Sequence, residues 1–310
     1  MELRQLQYAL QIAIDKNFSR AAEKLHIAQP SLSQQLSKLE KEIGVLLFQR
    51  TTNSVEATHA GSLFVEKAQK ILDMVEQLKQ EMEDISQMRK GRLVVGSLPI
   101  TGAHLLPLVL PVFQKRYPEI DIVLVEETTS NLEHLTASGQ ADISLLSLPL
   151  IDDALAYEPV IEEEIVLAVP QHHPLAERSA EAEPVDIALL QHEPFIALKK
   201  GQGFRQITVE LCSDAGFTPR IVFESSNIET VQSLVAAGMG IAMVPHMVSR
   251  GRWSELVPVY LPLQTRPCRT LVVAYKKGRY LSKAVEAFMD TFREVMTSAE
   301  GFGFSKGSPL

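Results

Sequence analysis

The sequence predicts an α/β protein built in three parts, and three patterns along its 310 residues carry that prediction. Residues 1–57 indicate short helices followed by two short strands, as in an otherwise all-α winged helix-turn-helix domain. Residues 58–90 contain no glycine or proline after Gly61 and predict one long linking helix. From 91 to 300, β-branched runs alternate with helical runs, which predicts α/β layers, and the glycine-rich segment 301–310 should be a flexible tail.

Three helices are expected in the first part of the chain. Four apolar residues at helical spacing predict the inner face of a first helix: Leu3, Leu6, Leu10 and Ala13. Ser19 is expected to cap a second helix that runs from Arg20 to Leu25. Pro30 suits the first turn of a third helix, because its missing N–H would be unpaired there anyway, and that helix should run to about Glu42. Its inward residues are Leu32, Leu36 and Leu39.

The outward face of the third helix carries side chains that can read DNA. Glutamine and serine hydrogen-bond to base edges in the major groove, and lysine binds phosphate. The residues of this face are Gln29, Ser31, Ser33, Gln34, Ser37 and Lys38. A solvated helix surface would have the same composition, so the pattern alone leaves both interpretations open. Strand-like runs on either side of Asn53 and Ser54 predict a wing, from which Arg50 could reach a phosphate or the minor groove.

A heptad pattern marks the long helix as a dimerisation element. Six apolar residues follow one another at spacings of three and four: Ala68, Ile71, Val75, Leu78, Met82 and Ile85. This period of 3.5 residues favours a coiled-coil seam between two copies over packing within one domain. Thr58 is expected to cap the helix. A dimer would present two third helices to a DNA site with two-fold symmetry.

The remaining 200 or so residues predict two α/β lobes with parallel sheets and helices on both faces. The predicted strands are Leu93–Gly96, Ile120–Val125, Ile143–Leu146, Ile165–Val169, Phe195–Leu198, Ile221–Phe223, Ile241–Val244 and Leu271–Tyr275. The predicted helices are Leu105–Lys115, Asn131–Ser138, Phe204–Ala215, Ile228–Ala237 and Ser282–Val295. Ligands of such sheets bind beyond the carboxyl ends of the strands.

The charge distribution confines any DNA contact to the N-terminal part. The chain has a net charge of −8, and residues 91–310 alone carry 18 Lys/Arg against 26 Asp/Glu, whereas residues 1–60 carry seven against six. An acidic body repels the phosphate backbone. The polar start of the chain and the lack of a long apolar run predict a cytoplasmic protein with no membrane partner, and two lone cysteines fit a reducing compartment.

Little in the sequence favours an enzyme. It contains no phosphate-binding loop of the Gly-x4-Gly-Lys-Ser/Thr type, no HExxH and no GxSxG motif. His172 and His173 lack a nearby set of metal ligands and indicate a solvated turn. We therefore expect no catalytic residue, no metal and no cofactor besides a small-molecule effector. A plain solute-binding protein is the other rival, but it would have no use for residues 1–90.

Six runs of residues together form a family signature. They are Phe18–Leu25, Ile27–Ser33, Leu39–Gly44, Phe48–Thr51, Thr58–Gly61 and Leu234–Pro245. With these runs in this order, the chain resembles the LysR-type transcriptional regulators over nearly its whole length. The resemblance implies a sequence-specific transcription regulator with a winged helix-turn-helix, a linker helix and a two-lobed effector domain like the type 2 periplasmic binding proteins. It also implies a tetramer built from dimers, with operator DNA, a small-molecule effector and RNA polymerase as partners.

The resemblance also assigns roles to residues at matched positions. It implies that Gln29, Pro30, Ser33 and Gln34 read bases, and that Ser31, Lys38, Arg50 and Thr51 hold the DNA backbone. Gln34 stands where the family often has arginine, which would replace a guanine contact by an adenine contact or a looser one. His59 stands where proline is usual, so the start of the linker helix would be less rigid.

The resemblance places lobe I at 91–161 with 267–297 and lobe II at 162–266, so the chain crosses between the lobes near Glu162 and near Thr265. The effector is expected in the cleft between them. The candidates from lobe I are Leu98, Pro99, Ile100, Thr101, Thr128, Thr129 and Ser147. The candidates from lobe II are Gln202, Gly203, Phe204, Ser226 and Asn227.

Two interpretations of these hydroxyl-rich candidates stay open. Several lie near predicted helix N-termini, which favour anions, and Lys199, Lys200 and Arg205 lie close in sequence, so a small anionic metabolite is one expectation. Alternatively, the hydroxyls only cap helices, and Glu126 and Glu127 weigh against an anion.

A redox switch at Cys212 and Cys268 is a further alternative to effector binding. Most lone cysteines are small core residues, and a reactive one needs a lowered pKa.

Overall fold

The computed structural model of the chain describes residues 1–50, 55–85, 91–181, 183–250 and 257–298. It divides into two compact units, residues 1–87 and residues 88–310. Thr51 and the expected tail at 301–310 lie outside the described residues, as do the side chains of Arg50 and Ile85. Among the described residues, no helix is both long enough and apolar enough to cross a membrane.

The first unit has three short helices, a two-stranded wing and one long helix. Its elements are α1 (Leu3–Asp15), α2 (Phe18–Lys24), α3 (Gln29–Ile43), β1 (Phe48–Arg50), β2 (Val55–Ala57) and α4 (His59–Ile85). The two wing strands pair antiparallel, with Phe48 opposite Ala57. The inward residues predicted for α3 are buried in the core of this unit.

The structure buries a different face of α1 from the one that the sequence predicted. Of the predicted stripe only Leu6 is buried, whereas Leu3 is 47% exposed. The buried apolar residues beside Leu6 are Ala9 and Ile12, which share a core with the small side chains of α2. Because α1 carries apolar residues on more than one side, helical spacing alone allowed a neighbouring face to be chosen.

Side chains fix the ends of these helices. Asn17, and not Ser19 as expected, caps α2: its Oδ1 accepts the N–H groups of Ser19 at 2.9 Å and Arg20 at 3.1 Å. Thr58 caps α4 as predicted, because its Oγ1 accepts the Gly61 N–H at 2.9 Å. The Thr58 hydroxyl also donates to the Leu46 carbonyl at 2.7 Å, which ties the start of α4 to the segment before the wing.

The second unit alternates strands and helices. Its strands are β3 (Gly91–Ser97), β4 (Ile120–Glu126), β5 (Ile143–Ser147), β6 (Leu155–Val169), β7 (Pro194–Leu198), β8 (Arg220–Ser225), β9 (Ala242–Pro245), β10 (Val259–Pro262) and β11 (Cys268–Lys276). Its helices are α5 (Pro99–Arg116), α6 (Thr129–Ala137), α7 (Gly203–Asp214), α8 (Ile228–Ala236) and α9 (Lys283–Ser298). Short 3-10 helices lie at Pro174–Glu181, Ile187–Leu190 and His246–Arg250.

The main sheet is mixed, and the expectation of purely parallel sheets was wrong. Strand β3 pairs parallel with β4 and β5, but β11 pairs antiparallel with β5 and β6. Strand β6 is 15 residues long and also pairs antiparallel with β9 and β10. The two segments that cross between the lobes are thus neighbouring antiparallel strands, so a single hydrogen-bonded sheet passes through both lobes.

Gly61 offers a test of the junction between α4 and the wing. A Cβ atom at this position would lie 1.9 Å from the backbone carbonyl oxygen of Leu47, so the backbone must move to admit alanine. We expect Gly61→Ala to lower the free energy of unfolding by about 1–3 kcal/mol, the usual cost of overpacking. Urea unfolding of the full chain, followed by circular dichroism, measures this.

The matched control is Gly91→Ala, because a Cβ there meets no atom within 4 Å. This control should change the stability by less than about 0.5 kcal/mol. Equal stabilities for the two variants would show that the close approach of α4 to Leu47 does not constrain the fold.

Candidate functional site

Helix α3 presents the predicted DNA-reading face to solvent. Pro30 lies in its first turn, and the αL conformation of Gly44 (φ 77°) ends it. Among the predicted base and backbone contacts, Pro30, Ser31, Gln34 and Lys38 are exposed, and Gln29 and Ser33 are half-buried. These polar groups therefore share one accessible surface, while the leucines on the opposite side hold the helix to the core.

A shallow polar groove follows this face, and it contains two side chains that sequence reasoning did not single out. The residues that line it are Gln29, Pro30, Ser33, Gln34, Gln35, Ser37, Lys38 and Lys41. Gln35 and Lys41 are the additions. The available signal was periodicity, since Lys41 lies three residues after Lys38 and helical neighbours at that spacing share a face.

An ion pair fixes α1 against α2, on which α3 in turn packs. The Lys24 ammonium donates to the Asp15 carboxylate at 2.5 Å, and the Gln11 amide donates to the same carboxylate at 2.7 Å. The hydrogen bond from Lys24, and then that from Gln11, lowers the pKa of Asp15 below its usual value. The carboxylate stays ionised at neutral pH and keeps both contacts.

The second unit contains a cavity of about 340 Å³, a size typical of small-molecule sites. Nine of the twelve predicted effector contacts line it: Leu98, Pro99, Ile100, Thr128, Gln202, Gly203, Phe204, Ser226 and Asn227. They come from the N-terminal ends of α5, α6, α7 and α8, which meet here because each helix follows the carboxyl end of a strand.

The other three predicted contacts, Thr101, Thr129 and Ser147, are buried and do not line the cavity. Thr129 has a different role. Its Oγ1 accepts the backbone N–H of Gly203 at 3.3 Å, a hydrogen bond between lobe I and lobe II. A Cβ at Gly203 would lie 3.2 Å from the same oxygen, so the small residue allows this approach.

Seven lining residues were not among the predicted contacts, although Glu127 was considered as a charge that weighs against an anion. They are Ala103, His104, Glu127, Leu198, Ile228, Glu229 and Arg269. Ala103 and His104 lie one turn inside α5, which begins at Pro99 and not at Leu105 as predicted. Arg269 comes from β11, far along the chain from the other lining residues. A cationic residue just before an apolar strand run was the one signal that could have found it.

Arg269 forms a buried ion pair at the wall of the cavity. Its Nε and Nη2 lie 2.7 Å and 2.6 Å from Oε2 of Glu163, and both side chains are 1% exposed. The other carboxylate oxygen accepts the Met247 N–H at 2.8 Å. The guanidinium also lies 5.3 Å from the centre of the Phe204 ring. The pair therefore joins β6, β11 and α7 where the chain crosses between lobes.

The cations on which the expectation of an anionic effector rested lie elsewhere. Lys199, Lys200 and Arg205 do not line the cavity. The Arg205 guanidinium donates to the Leu198 carbonyl at 2.9 Å and pairs with Glu224 at 2.5 Å. Among the described residues, the acidic ones that line the cavity are Glu127 and Glu229.

Neither cysteine has the environment of a reactive thiol. Cys212 is buried, and burial raises the pKa of its thiol to about 11. Cys268 is exposed, but partial burial, followed by the nearby Glu164, Glu162 and Glu163 carboxylates, raises the pKa of its thiol. Over the described ranges, no group of three or more potential metal ligands comes together.

Comparisons with known proteins cover both units. The model of the bacterial regulatory helix-turn-helix protein, lysR family, matches residues 3–62, and the model of the LysR substrate binding domain matches residues 86–297. The chain is 42% identical to the HTH-type transcriptional regulator YcgK of Bacillus subtilis strain 168, over 95% of this chain and 94% of that protein.

It is also 35% identical to the hydrogen peroxide-inducible genes activator of Pectobacterium carotovorum subsp. carotovorum, over 96% of this chain and 97% of that one. Among solved structures, it is similar to a cysteine-to-aspartate variant of full-length OxyR from Pseudomonas aeruginosa. That likeness has a TM-score of 0.77 at 27% identity and covers 100% of this chain and 99% of the other.

The buried ion pair can be tested by removing one partner. Glu163→Ala leaves the Arg269 guanidinium without its counter-charge in the interior, so we expect a loss of about 3–5 kcal/mol in the free energy of unfolding. The control is Glu163→Leu/Arg269→Met, in which no charge remains buried and most of the loss should be recovered. Urea unfolding gives both values, and a double variant as unstable as the single one would mean that packing alone matters.

Proposed function

The chain belongs to the LysR-type transcriptional regulators, and from this premise we propose that α3 reads an operator of two-fold symmetry under the control of a small molecule in the cavity. The observation that carries the first part is the exposed polar face of α3. Gln29 and Ser33 supply donors and acceptors for base edges, and Lys38 supplies a charge for phosphate. Gln34 would favour adenine, whose N6 and N7 form a bidentate pair with an amide.

The cavity supports the second part of the proposal. It lies between elements of lobe I and lobe II, which the hydrogen bond from Gly203 to Thr129 already joins. A molecule that contacts both sides would favour one relative arrangement of the lobes over others. We propose that this preference is passed to paired effector domains and changes the bend of the bound DNA. The proposal includes no catalytic step and no cofactor besides the effector.

Helix α4 offers the surface for a second copy. Its apolar side chains Ile71, Met74, Leu78 and Met82 are exposed and form one stripe, which we name the α4 stripe. Of the heptad residues predicted from the sequence, Ala68 is instead already buried within the chain and Val75 is half-buried. We propose that the α4 stripe forms the dimer seam and that two dimers form a tetramer. We further propose that this assembly binds DNA in the cytoplasm and acts together with RNA polymerase there.

A peroxide response is the second candidate, because relatives at 35% identity are named hydrogen peroxide-inducible genes activators. Reaction of a cysteine with peroxide requires a thiolate. The raised pKa values of Cys212 and Cys268 keep both thiols protonated at neutral pH. We therefore favour control by a bound molecule over control by oxidation of these cysteines.

The reading of DNA is tested by incubating the full-length protein with fragments of its host genome and sequencing what is bound, at two salt concentrations. We expect a few promoter sites with an interrupted two-fold repeat. Gln29→Ala/Ser33→Ala should remove this selection, because the base contacts are lost. Lys38→Ala should weaken binding to all sites alike and reduce the slope of log K against log salt by about one.

The control for the lysine variant is Lys115→Ala, which removes an exposed charge from the second unit and should leave both quantities unchanged. If the recovered fragments share no sequence and their binding is lost at the higher salt concentration, the N-terminal unit binds phosphate without reading bases. That outcome would contradict the proposed function.

The α4 stripe is tested by placing charge on it. Leu78→Lys/Met82→Lys should shift the assembly towards monomers in analytical ultracentrifugation, because two charges would be buried in the seam. Glu76→Lys makes the same change of two charge units about 200° around the helix from Leu78, and it should leave the assembly intact. If both variants keep the native mass, the seam lies elsewhere.

A further inference from the structure

The cavity wall carries two carboxylates whose charge the protein does not neutralise. Glu127 follows β4, and Glu229 lies in the first turn of α8, so they face the cavity from different lobes. Glu127 accepts a hydrogen bond from the neutral Asn131 amide at 2.9 Å. In the part of the chain that the structure describes, neither carboxylate forms a salt bridge. The N-termini of α5, α6, α7 and α8 meet at the cavity and offset part of this charge. Each such end stabilises an exposed anion by only about 0.3–1 kcal/mol, and the end of α8 is already capped by Asn227.

The cation of the wall is already neutralised. Among the described residues that line the cavity, Arg269 is the one with a permanent positive charge, and Glu163 accepts hydrogen bonds from its Nε and Nη2. A ligand carboxylate would have to compete with Glu163 for this guanidinium while it lies near Glu127 and Glu229. The charged side chains of the wall therefore carry a surplus of negative charge.

His104 adds an acceptor without a partner. Its Nδ1 lies 2.9 Å from the backbone carbonyl oxygen of Ile100. A carbonyl can only accept, so in the neutral ring Nδ1 carries the hydrogen and Nε2 is an acceptor. Nε2 is buried and has no hydrogen-bond partner among the described residues. An unpaired buried acceptor costs stability, and a donor on a bound molecule would recover it once the side chains that cover Nε2 shift to admit it.

We propose that the effector carries a protonated amine, which pairs with Glu127 and Glu229, and presents an N–H or O–H donor to His104 Nε2. Its body packs against the apolar part of the wall, formed by Leu98, Ile100 and Ile228. This inference rests on the proposed role of the cavity as the effector site. It replaces the expectation of an anionic metabolite, which rested on helix N-termini, which do line the cavity, and on two lysines and an arginine, which do not.

Two sets of probes that differ only in the end group test the charge. The first is tyramine, 2-(4-hydroxyphenyl)ethanol and 3-(4-hydroxyphenyl)propanoate, and the second is pentylamine, pentanol and hexanoate. Calorimetry with the full-length protein should show at least one amine binding roughly tenfold or more tightly than its alcohol, the usual gain of a charge-assisted hydrogen bond. The carboxylates should bind more weakly than the alcohols.

Variants assign the preference to the named side chains. Glu127→Gln/Glu229→Gln should reduce the ratio of amine to alcohol affinity to about one, because amides keep the hydrogen bonds without the charge. Glu210→Gln/Glu286→Gln makes the same charge change away from the cavity and should keep the ratio. His104→Asn removes the acceptor at Nε2 and should weaken amine and alcohol alike, whereas His104→Gln, which can place an oxygen there, should restore binding.

Three results would overturn the inference: tighter binding of a carboxylate than of its amine, failure of both amines to bind, or an amine preference that survives in the Glu127→Gln/Glu229→Gln variant. Operator binding is measured on the same preparations. If the protein selects its operator but no amine binds, the ligand class is wrong and the proposed regulator function stands. If it selects no operator, the proposed function fails whatever the probes show.

Discussion

The cavity wall of the second unit depends on a buried pair of opposite charges. An isolated guanidinium or carboxylate in a protein interior costs several kcal/mol, so Arg269 and Glu163 are tolerated only together. Their partners extend the constraint, because the second oxygen of Glu163 holds the Met247 N–H and the guanidinium lies over Phe204. Two adjacent strands, a 3-10 helix and the start of α7 are thereby fixed around one wall of the cavity. The ion pair therefore fixes the shape of the cavity wall that a ligand would contact.

The same pair shows what the sequence could not reveal. Glu162, Glu163 and Glu164 are consecutive carboxylates, and local composition predicts a solvated face there. In the structure they lie within β6. Glu163 can be buried there because it pairs with Arg269, which lies 106 residues later in the sequence. Local patterns cannot contain such an interaction. The mixed sheet was missed for the same reason, because tertiary contacts decide whether β11 runs parallel or antiparallel to β6.

Where local chemistry decides the structure, prediction came close. The leucines of α3, the cap at Thr58 and most strands of the second unit follow from periodicity and capping alone. The error at Ser19 is small and instructive: Asn17 and Ser19 are both capping residues, and the extended backbone of Asn17 (φ −157°, ψ 121°) decides between them. Nine cavity residues were found from strand ends and helix starts, but His104 and Arg269 lie beyond those positions. The chemistry of the ligand depends on the residues that were missed.

The crossing between the lobes also limits how the lobes can move. Loops that cross between lobes act as free hinges, whereas β6 and β11 cross as hydrogen-bonded neighbours and resist bending. Their register shifts once, between Leu271 and Val272, where Ile161 and Pro159 are the partners and Val160 is the extra residue. A bulge of this kind bends a strand locally without breaking the ladder. Opening of the cleft would then be a small rotation about Val160, so a ligand would bind a nearly prearranged site and lose little of its affinity to reorganisation.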